Sequence, residues 1–223
     1  MTTNSLLRRV GDSLRETETM VSVAESSTGG LVCSRLTDVP GSSYYLDRGV
    51  VSYSNAAKVE LLSVDPETLD EHGAVSAQTA REMATGVREL GDTAWAVSTT
   101  GVAGPGGGTP QTPVGTVYIG VAHGEAETSA VVSVRRHEFD ATRQECKRQF
   151  ARQALADLLD AVDAGDSSPA VPWDLLCESR PEAGVPGGGL EHGPASGVEC
   201  PPETSRPARP VGFQPPGGRG ERN

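Results

Sequence analysis

Val21-Ser-Val-Ala-Glu-Ser-Ser-Thr-Gly-Gly30 is the stretch around which the rest of the chain is organised. Its first half has the apolar, β-branched character of a buried strand, and its second half is a small polar turn that ends in glycine. Residues 31–39 then carry apolar side chains at close to helical spacing, so the stretch predicts a strand, a tight turn and a helix. Such a turn can lift the hydroxyl of Ser26, Ser27 or Thr28 above the sheet edge, among backbone N–H groups. An ordinary helix cap would use the same hydroxyls, and this stretch alone leaves both interpretations open.

Strand and helix patterns alternate along the chain up to residue 165. Apolar runs predict further strands over residues 48–54, 93–99, 114–122 and 128–134, with the last two forming a hairpin. Amphipathic spacing with capping residues predicts helices over residues 5–17, 31–39, 56–62, 66–73 and 77–90, and from Asp140 or Thr142 to about 162. Asn55, Asp65 and Ser76 are the expected caps of three of these helices. The order predicts the α/β class, as a three-layer α/β/α domain with a mixed sheet.

The composition changes near Asp166 and divides the chain into residues 1–165 and 166–223. The second part holds 11 of the 16 prolines and 10 of the 27 glycines, and its apolar residues follow no period. Such a segment buries too little apolar surface to offset its ordering entropy, so we predict one domain followed by a disordered tail. A docking role for the tail peptide Trp173-Asp-Leu-Leu176 stays open.

Charge, hydropathy and cysteine pattern argue against several classes of function. The formal charge of −11 disfavours a general nucleic-acid binder, which would normally show a basic face. No stretch is long and apolar enough to span a bilayer, and residues 1–9 lack the build of a signal peptide, so we expect a cytoplasmic protein. The cysteines form no C-x-x-C pair and the histidines no H-E-x-x-H motif, so neither a metal site nor a disulfide framework is indicated.

A candidate general base lies in Tyr53-Ser-Asn-Ala-Ala-Lys58, where a predicted strand passes into a helix. Lys58 falls near the first turn of that helix, where the positive end of the helix dipole lowers its affinity for a proton. If it is also partly buried, its neutral amine becomes available as a base. The alternative is a solvated surface lysine, which is the usual state of this residue type.

Two further features suit a ligand that carries negative charge. The glycine-rich run from Thr99 to Thr109 exposes backbone N–H groups, so it could form an oxyanion hole or bind a nucleotide phosphate. Arg143, near the start of the last helix, also suits a phosphate. A flexible surface loop and a surface ion pair are the corresponding alternatives. The candidate ligand contacts in the glycine-rich run are Thr100, Gly101, Gly104, Gly107 and Thr109.

Several motifs occur in a consistent order and together resemble one family. They are Val23-Ala-Glu-Ser-Ser-Thr-Gly-Gly30, Gly41-Ser-Ser43, Tyr53-Ser-Asn-x-x-Lys58, His72-Gly-Ala-Val-Ser76, Gly101-Val-Ala-Gly-Pro-x-Gly-Gly108 and Pro113-Val-Gly-Thr-Val117. Over roughly residues 5–160 the chain resembles the CinA C-terminal domain family, or PncC-type nicotinamide mononucleotide deamidases. The resemblance implies a three-layer α/β fold and an amidohydrolase, with no cofactor, that forms nicotinate mononucleotide and ammonia. The stand-alone form is expected, without the separate N-terminal molybdopterin-binding-like domain of full-length CinA proteins.

Carried over by position, the resemblance assigns roles to individual residues. Ser26 corresponds to the nucleophilic serine, Lys58 to the general base and Tyr53 to a tyrosine beside that dyad. The family usually has cysteine at the position of Ser27, so the chemistry needs no thiol there. The residues expected to shape the substrate pocket are Ser27, Thr28, Gly29 and Gly30, with residues 100–109 as another wall.

The chain departs from the family pattern at two places that bear on phosphate binding. Thr112 stands where a lysine is frequent, and Ala141-Thr142-Arg143 replaces a Gly-Asp-Arg motif. The arginine of that motif is retained, while the residues that lead to it differ.

Two other functions stay open beside the amidohydrolase. One is a non-catalytic module that binds a pyridine nucleotide and regulates a partner in competence or the response to DNA damage. The other is an amidase or esterase that uses the same dyad on a different small substrate. For the protein as an enzyme we expect a small-molecule nucleotide substrate, no membrane or direct nucleic-acid partner, and a homo-oligomer of two or more copies.

Overall fold

The computed structural model describes residues 2–124 and 130–165. Within these residues, five strands form one sheet: β1 Val21–Glu25, β2 Leu46–Val51, β3 Trp95–Gly101, β4 Thr116–His123 and β5 Val131–Glu138. The helices are α1 Thr3–Glu16, α2 Leu31–Thr37, α3 Asn55–Leu62, α4 Pro66–His72, α5 Ala77–Gly91 and α6 Arg143–Ala164, with a short 3-10 helix at Ser42–Tyr44. No helix in this part of the chain is long and apolar enough to cross a bilayer. The predicted tail, its Trp173 peptide and residues 125–129 of the predicted hairpin lie outside the described residues.

The sheet is mixed and has the strand order β2-β1-β3-β4-β5. β1 pairs parallel with β2 and with β3, whereas β3 with β4 and β4 with β5 are antiparallel. The chain leaves β1 toward one side, then crosses back over β1 to reach β3. In open α/β sheets, ligands bind outside the carboxyl ends of strands where the order reverses in this way. The register sets Glu25, the last residue of β1, beside Thr99 near the end of β3.

Apolar clusters on both faces of the sheet give the molecule its three layers. On one face, α1, α2 and α6 pack on the strands around the fully buried Phe150. On the other, α3, α4 and α5 pack through residues such as Leu62 and Met83. Side chains of β1 alternate between the two faces, since Val23 belongs to the first cluster and Ala24 to the second. The predicted three-layer α/β/α fold with a mixed sheet is confirmed.

The boundaries of several elements differ from the prediction. The strand predicted over residues 48–54 is β2 at Leu46–Val51, because the next residues leave the sheet to enter α3. Ser54, rather than Asn55, caps α3, and its hydroxyl accepts a hydrogen bond from the Ala57 N–H at 3.1 Å. Strands β3, β4 and β5 begin two or three residues later than predicted, whereas β2 begins two residues earlier. The helices start and end within about two residues of their predicted positions, the usual uncertainty at frayed ends.

Candidate active site

The ends of β1 and β2 bring a serine and a lysine together at the carboxyl edge of the sheet. Ser26 is the first residue after β1, and its backbone N–H donates a hydrogen bond to the Thr99 carbonyl of β3 at 3.0 Å. Lys58 lies in the first part of α3, which follows β2. The Lys58 Nζ lies 3.1 Å from the Ser26 Oγ, within hydrogen-bonding distance. The structure therefore brings together the two residues that the sequence suggested as nucleophile and base.

Lys58 is buried, with only 1% of its surface exposed. Its Nζ also donates to the backbone carbonyls of Ser52 at 2.9 Å and Tyr53 at 3.3 Å. Among the described residues, no carboxylate forms an ion pair with it. Because burial disfavours the charged ammonium, the pKa of Lys58 lies below its ordinary value. A neutral amine within reach of a serine hydroxyl can accept its proton, which is the geometry that a general base requires.

A buried carboxylate holds the turn that follows Ser26. Glu25 is fully buried, and its carboxylate accepts hydrogen bonds from the backbone N–H groups of Gly30, Val32 and Cys33 at 2.8, 3.1 and 2.9 Å. These are N–H groups of the first turn of α2, where a negative charge is favoured. Sequence analysis missed this role. The available signal was an acidic residue at the end of an apolar strand, directly before a helix.

The Glu25 contacts decide which N–H groups of the turn remain available to a substrate. Gly30 was expected to contribute to the pocket, but its N–H is taken by Glu25. The N–H groups of Ser27, Thr28 and Gly29 donate to no acceptor within the described ranges. These three groups are therefore the ones that the turn can offer to an oxyanion or another anionic group.

A cavity of about 270 Å³ opens at this edge of the sheet, close in size to the smaller ligand pockets of proteins. Thr28 and Thr109 do not line it. The Thr28 hydroxyl lies 2.8 Å from that of Thr99, and the Thr109 hydroxyl lies 2.9 Å from that of Thr112. Both hydroxyls therefore form hydrogen bonds with other side chains of the protein. Gly29 and Gly30 also lie outside the lining. The predicted residues that do line it are Ser26, Ser27, Tyr53, Lys58, Thr100, Gly101, Gly104, Gly107 and Arg143.

Two lining residues lie outside the segments that the sequence predicted for the pocket. Ala74 and Val75, between α4 and α5, supply a wall that is held in place by the Thr100 hydroxyl, which donates to the Ala74 carbonyl at 2.5 Å. Small apolar residues carry no chemical signal of their own. Only the resemblance at residues 72–76 pointed to this segment. Val102, Ala103 and Gly106 also line the cavity and belong to the predicted wall of residues 100–109.

Arg143 and Tyr53 meet at the mouth of the cavity. The Arg143 guanidinium donates to the Gly104 carbonyl at 2.5 Å and to the Tyr53 hydroxyl at 3.4 Å. Tyr53 is 63% exposed and lines the same cavity as Lys58. Within the described part of the chain, no carboxylate pairs with Arg143. The arginine thus fixes the glycine-rich loop and keeps an uncompensated positive charge beside the cavity.

The arrangement supplies the parts needed for acyl transfer through a serine. It offers a hydroxyl nucleophile, a buried amine as base and unbonded N–H groups in the adjoining turn. Among residues 2–124 and 130–165, no group of three or more His, Cys, Asp and Glu is placed to hold a metal ion.

Comparison with known proteins identifies the family. The model described as the CinA C-terminal domain matches residues 3–162. A CinA-like protein of Chlorobium limicola is 48% identical over 153 residues, which are 69% of this chain and 36% of that protein. A putative competence-damage inducible protein of Acetivibrio thermocellus is 57% identical over 103 residues, 46% of this chain and 25% of that protein. The chain thus spans about a third of the length of the curated relatives it matches.

A solved structure agrees with this match over the whole domain. The crystal structure of a competence-damaged protein (CinA) superfamily protein from Klebsiella pneumoniae has a TM-score of 0.68 and 32% sequence identity. The match covers 73% of this chain and 99% of that one. The extent of the family match, together with the agreement in fold, shows that the chain belongs to the CinA C-terminal domain family.

Proposed function

We propose that the protein is a nicotinamide mononucleotide amidohydrolase that releases ammonia and nicotinate mononucleotide, a reaction of pyridine nucleotide recycling. The observation that carries this proposal is the buried Lys58 amine, 3.1 Å from the Ser26 hydroxyl and without a carboxylate partner among the described residues. A structural lysine would be expected to pair with an acid or reach solvent. A buried lysine with a lowered pKa beside a serine suits a base and its nucleophile.

The proposed reaction proceeds through an acyl-enzyme. The neutral Lys58 amine takes the proton from the Ser26 hydroxyl, and the Ser26 Oγ attacks the carboxamide carbon of the substrate. Backbone N–H groups of the glycine-rich loop stabilise the oxyanion. The Lys58 ammonium then gives its proton to the departing nitrogen, directly or through Tyr53, and ammonia leaves. Water hydrolyses the ester with the same amine as base, which restores Ser26.

The cavity suits a pyridine mononucleotide in several respects. Ala74 and Val75 form an apolar wall for a flat ring near the dyad, and Arg143 supplies positive charge for a phosphate at the mouth. The positive charge of the pyridinium makes the substrate carboxamide more electrophilic, so a serine activated by an amine is sufficient.

The test is ammonia release by the purified protein from nicotinamide mononucleotide, with free nicotinamide as the comparison substrate. We expect ammonia and nicotinate mononucleotide in equal amounts from the nucleotide, and much slower release from nicotinamide. The Ser26→Ala variant, purified in the same way, controls for a contaminating amidase. Tight binding of the nucleotide without turnover would replace the proposal with the regulatory binding module. Turnover of other amides in preference to the nucleotide would replace it with a different amidase.

A further inference from the structure

The two lysines of the chain lie on either side of the turn that follows β1. The sequence has 19 basic residues of the lysine and arginine types, but only Lys58 and Lys147 are lysines. Lys58 is the candidate base. Lys147 lies on α6, one helical turn after Arg143, so the two side chains share a face of that helix. Its Nζ lies 3.5 Å from the position that a Cβ atom on Gly29 would occupy. Lys147 therefore stands over the turn that links β1 to α2.

Arg143 and Lys147 have no acidic counterpart in the described part of the chain. The one acidic residue in the first turn of α6, Glu145, pairs with Arg148 at 3.3 Å instead. In a protein of net charge −11, acidic partners are plentiful, yet Arg143 at the cavity and Lys147 over the adjoining turn are left without one. A bound anion would supply the missing charge and would add favourable contacts with both side chains.

The turn below Lys147 has unused hydrogen-bonding groups of its own. The N–H groups of Ser27, Thr28 and Gly29 have no acceptor among the described residues. The Ser27 hydroxyl is likewise buried without a partner there, and Ser27, which is only 8% exposed, lines the cavity. An unpaired buried polar group is costly, so the Ser27 hydroxyl, together with the unbonded N–H groups beside it, points to a ligand that satisfies them.

We infer that Lys147, Arg143 and the turn of residues 27–29 form a subsite for a phosphomonoester dianion, the 5′-phosphate of the mononucleotide. The inference rests on the proposed function for the identity of the ligand, and it adds Lys147 as a residue that determines specificity for the phosphate. The lysine ammonium acts as a point charge on the dianion, while the planar Arg143 guanidinium stays anchored to the loop. A nucleoside without phosphate makes none of these contacts.

The test measures binding by calorimetry in the full chain carrying Ser26→Ala, so that the ligand is not consumed. The ligands are nicotinamide mononucleotide and nicotinamide riboside, which differ only in the phosphate. Lys147→Gln should weaken nucleotide binding by at least about tenfold, equal to about 1.4 kcal/mol, and change riboside binding by less than about twofold. Lys147→Arg should restore most of the nucleotide affinity. Arg148→Gln, the same charge change on the next residue of the helix, should alter neither.

Acetylation provides a second measurement that needs no substitution. Because the chain has only two lysines, mass spectrometry can read the modification of Lys147 directly. Nicotinamide mononucleotide and ribose 5-phosphate should both protect Lys147, and nicotinamide riboside should not. Three results would each overturn the subsite. They are equal protection by the riboside, an equal loss of affinity for both ligands in Lys147→Gln, and an unchanged affinity for the nucleotide in that variant. Phosphate-dependent binding without ammonia release would uphold the subsite and overturn the amidase. Ammonia release with equal binding of the nucleotide and the riboside would uphold the amidase and overturn the subsite.

Discussion

At the scale of single residues, two adjacent serines have different surroundings. The Ser26 hydroxyl is bonded to the Lys58 amine, whereas the Ser27 hydroxyl is buried without a partner among the described residues. Ser26→Ala should lower kcat for ammonia release by at least about a thousandfold, because it removes the nucleophile of a cooperating pair. Ser27→Ala should keep kcat within about threefold, since it removes neither the nucleophile nor the base, and any loss should appear in the affinity for the nucleotide. Ser27→Cys should also be active. Loss of activity in Ser27→Ala with retention in Ser26→Ala would reassign the nucleophile.

One substitution separates the contribution of Lys58 to the chemical step from its contribution to substrate binding. Lys58→Arg keeps a positive charge but cannot supply a neutral base, because arginine stays protonated in proteins. Turnover should fall by orders of magnitude, while the calorimetric Kd for nicotinamide mononucleotide should stay within about tenfold, or 1.4 kcal/mol. The riboside serves as the control ligand for distortion of the pocket. Turnover at the level of the unmodified protein would remove Lys58 from the mechanism.

The pH dependence of turnover follows from the same residue. Burial lowers the pKa of Lys58, so the neutral amine is populated at a lower pH than for a solvated lysine. The base is active only when neutral, so kcat/KM should rise with pH through the pKa of Lys58 and then level off. The apparent pKa in the free enzyme should lie below the value of about 10.4 for a free lysine. A profile that is flat, or that falls with rising pH, would contradict this role.

The sequence could identify the dyad but not everything around it. Ser26 and Lys58 stand out because a hydroxyl-rich turn and a helix-start lysine are local patterns. Glu25 accepts from N–H groups five to eight residues away, a contact that needs the exact path of the turn between β1 and α2. Lys147 reaches Gly29 from a distant helix, which depends on the packing of α2 against α6 and is not encoded by local spacing.

At the scale of elements, the position of α3 decides whether the base meets the nucleophile. A Cβ atom on Gly86 of α5 would lie 1.9 Å from the Leu62 carbonyl oxygen, one helical turn after Lys58 on α3. An alanine favours a helix over glycine by about 1 kcal/mol, but a clash with backbone in a packed core costs about 1–3 kcal/mol. The destabilisation by the clash should therefore exceed the gain in helix propensity.

Gly86→Ala is thus expected to lower the Tm and to move α3 away from Ser26. Displacement of a catalytic group by a fraction of an ångström should lower kcat by about tenfold or more. Glu89→Ala, on the exposed side of the same helix, is the matched control and should change neither quantity. Thermal unfolding and ammonia release measure the two effects separately. An unchanged kcat in a folded Gly86→Ala protein would show that the dyad tolerates movement of α3.

Element boundaries show where local patterns fall short. The strand predicted up to residue 54 ends at Val51, and the carbonyls of Ser52 and Tyr53 accept hydrogen bonds from the Lys58 amine instead of continuing the sheet. Tyr53 favours strands, so the sequence pattern extends the strand past its end. The helices were predicted more closely, since capping residues such as Asp65 and Ser76 mark their starts.

At the scale of the whole molecule, strand order explains why distant segments share one cavity. Residues that follow β1, β2 and β3 lie at the same edge, because these neighbouring strands are parallel. The antiparallel β4 and β5 extend the sheet on the side of β3, and α6 then returns Arg143 and Lys147 to that edge. The mixed sheet was predictable from the alternation of elements, whereas the convergence of the four segments became visible only with the strand order.

The extent of the functional unit is the last property that can be tested. The family match ends at residue 162, and α6 ends at Ala164, where Gly165 adopts a left-handed conformation. Val162 is the last buried apolar residue of the core described above. A chain cut after Gly165 therefore keeps every residue of the sheet, both apolar clusters and the candidate site.

We expect this shortened chain to melt within about 2 °C of the full chain, since each 1 kcal/mol shifts the Tm of a domain of this size by about 2–4 °C. Ammonia release and nucleotide affinity should also stay within about twofold. A control cut after Leu158 removes Leu159 and Val162 from the core and should lower the Tm sharply. If the cut after Gly165 lowers the Tm or the turnover as much as the control does, residues 166–223 stabilise the domain, and the Trp173 peptide becomes the first segment to substitute.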